Sequence, residues 1–163
     1  GFINNFRNEA LSKITDAKEK AAMDSLSKAP VKLVPEGYEN ARKIEVGVLR
    51  GMKFDKSVIE AKAGEQIAIA LTNNDPDGLM HNLAVIEPGT RQSVLEATIA
   101  LGPKAIEKNF IPDTPALLGS TPQVAPGRRF TLYLTLPDKP GDYEYVCTYP
   151  GHGQLMWGTL KVK

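Results

Sequence analysis

The chain of 163 residues is poor in the residues that usually build staples and metal sites. It has one cysteine, Cys147, and two histidines, His81 and His152. A disulfide within the chain is therefore excluded. So are zinc sites of the Cys₄ and Cys₂His₂ types, and any second multi-histidine metal site. Charge of one sign is also lacking: twenty basic residues face nineteen acidic ones, for a net charge of +1. Nothing in that balance favours capture of a polyanion, so no nucleic-acid partner is expected. No run of eighteen apolar residues occurs, so no transmembrane span is expected. The chain starts at Gly1 without a basic start and apolar stretch, so any export signal is expected to have been removed or never to have existed. No internal repeat, phosphate-cradling glycine loop or Gly-x-Ser-x-Gly elbow is evident.

What is present divides at about residue 40. From Gly1 to Ala29, apolar residues fall at Phe2, Phe6, Ala10, Ile14, Ala17, Ala21 and Leu26, with Arg7, Glu9, Lys13, Asp16, Lys18 and Glu19 between them. That spacing predicts an amphipathic N-terminal α-helix, ended by Pro30 and Pro35. Residues 1–40 are read as helix and linker. The mixed charges favour packing on protein over a membrane surface. Such a helix is a candidate for self-association or for docking in a larger complex.

Residues 41–163 change period. Ile44, Val46 and Val48 alternate with polar or small residues, and strands are expected there and over 53–61, 66–72, 81–87, 130–136, 143–147 and 158–162. Loops rich in Gly, Pro, Asn and Asp separate them, including Asn73-Asn74-Asp75-Pro76-Asp77-Gly78. Between residues 89 and 127 the pattern is helical at Val94, Leu95, Ile99, Leu101 and Ile106, then proline-rich. It is read as an inserted flap with some helix. The fold class is all-β, an antiparallel β-sandwich.

The strongest local signal is Cys147-Thr-Tyr-Pro-Gly-His152-Gly-Gln-Leu-Met156, three soft or borderline ligands in ten residues between two strands. Thiolate and thioether select copper, and imidazole suits it; a His₂Cys set with a weak axial Met describes an electron-transfer copper site. The second histidine can only be His81. Taken singly, each residue has a plainer role: a buried thiol, a surface histidine, a strand-end histidine, a core methionine. Taken together, the only cysteine and both histidines fall on one template.

The loop Cys-x₄-His-x₃-Met, with the words Cys-Thr-Tyr-Pro-Gly-His and Leu-Met, resembles the cupredoxins, and among them the azurins. His81-Asn82 and the insertion before Phe130 fit the same pattern, so the resemblance runs from about Lys43 to Lys163. It implies a Greek-key, cupredoxin-like sandwich holding one copper ion. His81, Cys147 and His152 would be equatorial ligands and Met156 the axial one. Asn82 would pair with Thr148 and hold the two ligand segments together.

Three departures stand out. Azurins carry glycine where Met80 precedes His81, so the Met80 carbonyl is a candidate weak axial oxygen. The azurin disulfide has no counterpart, and neither do the first forty residues.

The resemblance also implies a non-enzymatic electron carrier, periplasmic or otherwise exported. It implies docking of redox proteins such as c-type cytochromes near His152, in a patch with candidates Leu79, Met80, Pro115, Pro150, Gly153 and Leu155. Trp157 is expected to face away from the metal and to pack in the core. No histidine remains for a second copper, which disfavours nitrite reductase and multicopper oxidase chemistry. A copper delivery or storage module, or the copper domain of a larger redox assembly, are the alternatives. A Cys147–His152 catalytic dyad is a weaker reading, because it leaves Met156 unexplained.

Overall fold

Alternation sets the strands. In β1 (Arg42–Leu49), Ile44, Val46 and Val48 are buried and their neighbours are more exposed. In β4 (Gln66–Thr72) five successive residues are buried, yet the two faces differ. Ile67, Ile69 and Leu71 enter the main core, while Ala68 and Ala70 lie on the outer face beside Lys43, Glu45, Arg129 and Tyr133. The continuous apolar run is thus an alternation of large and small side chains.

The computed structural model describes residues 34–163, within which Asn40–Lys163 forms a compact unit. The expected helix over Gly1–Ala29 lies outside the described residues. The remaining elements, in order, are β2 (Lys53–Phe54), β3 (Val58–Ala61), β5 (Ala84–Ile86), α1 (Arg91–Ile99), β6 (Leu117–Ser120), β7 (Arg129–Thr135), β8 (Gly141–Val146) and β9 (Trp157–Val162). One sheet runs β2-β1-β4-β7 and the other β3-β9-β8-β5-β6.

The sheets are mixed, which corrects the antiparallel expectation. β1 lies parallel to β4, and β3 parallel to β9. Hydrophobic alternation carries no information about strand direction. Direction follows from crossovers between sheets, and here the chain crosses after β2 and again after β3. The segment 53–61, expected as one strand, is split by that first crossing into β2 and β3 on different sheets.

The expected helical flap over 89–127 holds a nine-residue helix, α1, a single 3₁₀ turn at Gly102–Lys104, and strand β6. β6 extends the five-stranded sheet beside β5, so part of the flap is sheet. Its four half-buried residues, Leu-Leu-Gly-Ser, give no clean alternation to read.

The main core fills the space between the sheets, with Ile67, Ile69, Leu83, Val85, Tyr143, Tyr145, Leu160 and Val162. A second cluster, Ala84, Ile86, Val94, Leu95 and Val146, lies between the five-stranded sheet and α1. β5 and β8 are therefore covered on both faces. A strand buried on both sides is a rigid support for whatever follows its end.

Candidate metal centre

The ligand loop is the connection between β8 and β9. Cys147 follows β8 directly and Met156 precedes β9 directly. The Cys147 amide donates to the Met156 carbonyl at 3.1 Å, which closes the loop's two ends. Within it, the amides of Leu155 and Met156 donate to the His152 carbonyl at 3.0 and 2.9 Å, and the His152 amide to Tyr149 at 3.0 Å. Gly151 supplies the positive φ of 85° that this tight path requires. Gly153 is needed for closeness: a Cβ there would strike the Leu95 side chain and come within 2.9 Å of the Cys147 carbonyl oxygen.

β5 brings the remaining histidine. It runs antiparallel to β8 with Ala84 opposite Val146, and the same register continued two residues outward sets Asn82 beside Thr148. The Thr148 amide donates to Asn82 Oδ1 at 2.8 Å, and Asn82 Nδ2 donates to Thr148 Oγ1 at 2.9 Å. His81 stands next to this pair, in a bridge with Val124.

The ligand atoms offered by His81, Cys147 and His152 all lie within 4.8 Å of one another, and all three residues are buried. Cys147 Sγ is 3.9 Å from His81 Nδ1 and 3.7 Å from His152 Nδ1. These are long for hydrogen bonds but suit a shared ion. Metal–nitrogen and metal–sulfur bonds of ~2.0–2.3 Å meeting at a trigonal angle put their donors about 3.7 Å apart. Met156 is fully buried behind the same loop, and Met80 is half-buried before His81.

The electrostatics point the same way. Burial pushes the Cys147 thiol up to about 11, against the partial relief of its backbone hydrogen bonds. A thiol in such a place ionises only when a cation stands against the sulfur. Burial lowers the His152 pKa and the neighbouring His81 lowers it further, against an opposing pull from Asp75, which favours the neutral ring that can coordinate. Copper fits this donor set of one thiolate, two imidazoles and a thioether.

Several neighbours escape sequence reasoning. Asp75 Oδ2 lies 2.7 Å from His81 Nε2, with the two side chains 1% and 0% exposed. Burial works to raise the Asp75 pKa, but the His81 bond and the amides of Asp77 and Leu79 outweigh it and hold the carboxyl down. Asn73 organises this turn: its Nδ2 donates to the carbonyls of Leu79 and Val124 at 2.8 and 2.7 Å, and its Oδ1 accepts from the Asp75 amide. The only signal for them was the Asn/Asp-rich loop, which reads equally as a plain turn.

Tyr149 stacks at 4.7 Å on His152 and at 5.0 Å on Phe110 from the flap. Phe110 holds a positive φ of 57°, and its carbonyl accepts from Thr148 Oγ1 at 2.6 Å. The flap is thus anchored on the ligand loop.

Of the expected patch, Leu79, Pro115, Pro150 and Leu155 are exposed. Gly153 is not: it is buried beneath Leu95. Trp157 is also corrected, since it stays 37% exposed with the Arg91 guanidinium 3.9 Å above its ring. Alternation in β9 directs it away from the core, and the cation covers its face.

A two-sheet β fold whose paired strand ends bring together two imidazoles, a thiol and a thioether defines a small metalloprotein of the copper class. The sequence model of the copper binding proteins, plastocyanin/azurin family, matches residues 41–163, and the chain belongs to that family. Auracyanin-A of Chloroflexus aurantiacus is 30% identical over 114 residues, covering 68% of this chain and 67% of its own. The azurin of Bordetella pertussis is 31% identical over 119 residues, covering 68% and 77%. The crystal structure of dithionite-reduced auracyanin from Roseiflexus castenholzii superposes with a TM-score of 0.66 at 27% identity, covering 76% of this chain and 98% of that one.

Proposed function

We propose that residues 41–163 are a mononuclear blue copper domain that carries single electrons between redox proteins. The observation that carries this reading is the buried cysteine sulfur flanked by two imidazole Nδ1 atoms at 3.9 and 3.7 Å. His81, Cys147, His152 and Met156 would hold the copper, with the Met80 carbonyl a further candidate oxygen. Bound copper would supply a one-electron couple between Cu(I) and Cu(II), tuned by the weak Met156 thioether.

The protein's part is to keep the donors in place in both oxidation states. The Asn82–Thr148 pair, the Cys147–Met156 backbone bond and the doubly covered β5 and β8 do this. A centre whose ligands do not move has little to reorganise when an electron arrives. Full burial of Cys147 and near-full burial of His152 speak against a delivery or storage module, which has to expose its ligands to exchange metal.

Electrons enter and leave near His152, past exposed Leu79, Pro150 and Leu155, and a c-type cytochrome or similar redox protein is the partner proposed there. Small apolar interfaces suit such brief encounters. The setting is the periplasm or another exported location, as the likeness to azurins suggests. Self-association or docking in a larger assembly through residues 1–40 is part of this proposal.

Copper loading tests the reading. The intact protein should develop an intense visible band from thiolate-to-Cu(II) charge transfer, and Cys147→Ser should lose it. A band that survives in the serine variant would sink the assignment.

A further inference from the structure

Asp75 is a carboxylate withdrawn from water beside one imidazole. Its side chain is 1% exposed. Oδ1 accepts from the Asp77 amide at 2.8 Å, and Oδ2 faces His81 Nε2 at 2.7 Å. Burying an ion is costly unless its partners repay the lost hydration. The amides of Asp77 and Leu79 supply part of that repayment from within the turn, and His81 Nε2 is the partner from outside it.

Nδ1 is the ring nitrogen turned toward the other donors, so Nε2 is the one left to donate to Asp75 Oδ2. The Nδ1 lone pair is then left facing Cys147 Sγ. A charged acceptor drawing on Nε2–H also raises electron density at the coordinating nitrogen. The hydrogen bonds found for His152 among the described residues include no carboxylate. The two imidazoles are therefore unequal.

We propose that Asp75 is a positioning residue that makes His81 the stronger imidazole donor and holds down the reduction potential of the centre. This rests on the copper reading above. A stronger imidazole donor favours Cu(II) over Cu(I). No bond breaks: one electron arrives from a redox partner, and the proton stays on Nε2 in both states.

The test compares copper-loaded wild type with Asp75→Asn, an uncharged side chain of the same size. The potential should rise by about a tenfold shift toward Cu(I), ~59 mV for one electron, while the visible band persists. In the reduced, diamagnetic wild type, the His81 Nε2–H should be a slowly exchanging, strongly downfield nuclear magnetic resonance signal that moves upfield in the variant. An unchanged or lowered potential overturns the proposal. So does a wild-type His81 ring proton that exchanges as fast as that of His152, a result that needs no variant to fold. A blue wild type with an unmoved variant potential removes this inference alone. A wild type that takes up copper without the band removes the copper reading and this inference with it.

Discussion

Asn82 and Thr148 grip each other at two points: Oδ1 takes the Thr148 amide at 2.8 Å while Nδ2 reaches its hydroxyl at 2.9 Å. Both residues are buried, and each stands next to an expected ligand, His81 on one side and Cys147 on the other. Two segments 66 residues apart in the chain are joined there without the metal.

Asn82→Ala is expected to destabilise the copper-free protein by about 2–4 kcal/mol, because the buried Thr148 amide loses its partner and the hydroxyl, which keeps the Phe110 carbonyl, loses its donor. Denaturant unfolding of the copper-free form measures it. A loss under half a kilocalorie, on the order of a surface substitution, would show that the ligand segments are held by other contacts.

Gly153→Ala should be costly for a steric reason. The added Cβ meets both Leu95 and the Cys147 carbonyl oxygen, the latter at 2.9 Å. Overpacking of this kind costs about 1–3 kcal/mol, and it should displace the cysteine and alter the visible spectrum. Adding Leu95→Ala should restore only part of the stability, since the clash with the carbonyl remains. Full restoration in the double variant would show that the side chain is the whole obstacle.

Acid should weaken one exposed clasp. Arg42 Nε donates to Glu65 Oε2 at 2.7 Å, and this bond is the leading cause that lowers the Glu65 pKa from its ordinary 4.5, with burial opposing it. A carboxyl whose folded pKa lies below its unfolded one contributes stability above the unfolded value and loses it as pH falls through the folded value. Glu65→Gln should therefore cost up to about 1 kcal/mol at pH 7 and nothing once pH is well below 4.5. Unfolding curves of both proteins across that range check the sign; a gap that widens in acid would contradict it.

The docking proposal has its own readout. Leu155 is 60% exposed. Leu155→Lys should slow electron exchange with a c-type cytochrome roughly tenfold, the scale of an interface hot spot, with potential and spectrum unchanged. Equal rates would move the docking site elsewhere.

Much of the centre was legible in the chain because its donors are chemically rare and locally spaced. One cysteine, one histidine five residues on and one methionine four beyond need only a short loop to converge. β1 was legible because one-sided burial leaves an alternating record, and β4 and β7 because larger apolar side chains alternate with smaller or more polar ones along them. β6 was not, because Leu-Leu-Gly-Ser offers no alternation to read, and the 53–61 segment concealed a change of sheet.

By itself, then, the sequence determined the donor set and the β character of residues 41–163, because scarcity and period-two burial are local properties. Only the tertiary structure decided which strands run parallel, that Asn82 meets Thr148 at two points, that Trp157 lies outside under Arg91, and that Asp75 turns inward to His81. Each of these depends on partners brought together across the sheets or on the path of a loop. An aspartate in an Asn/Asp-rich turn has the same local signature whether it faces water or an imidazole.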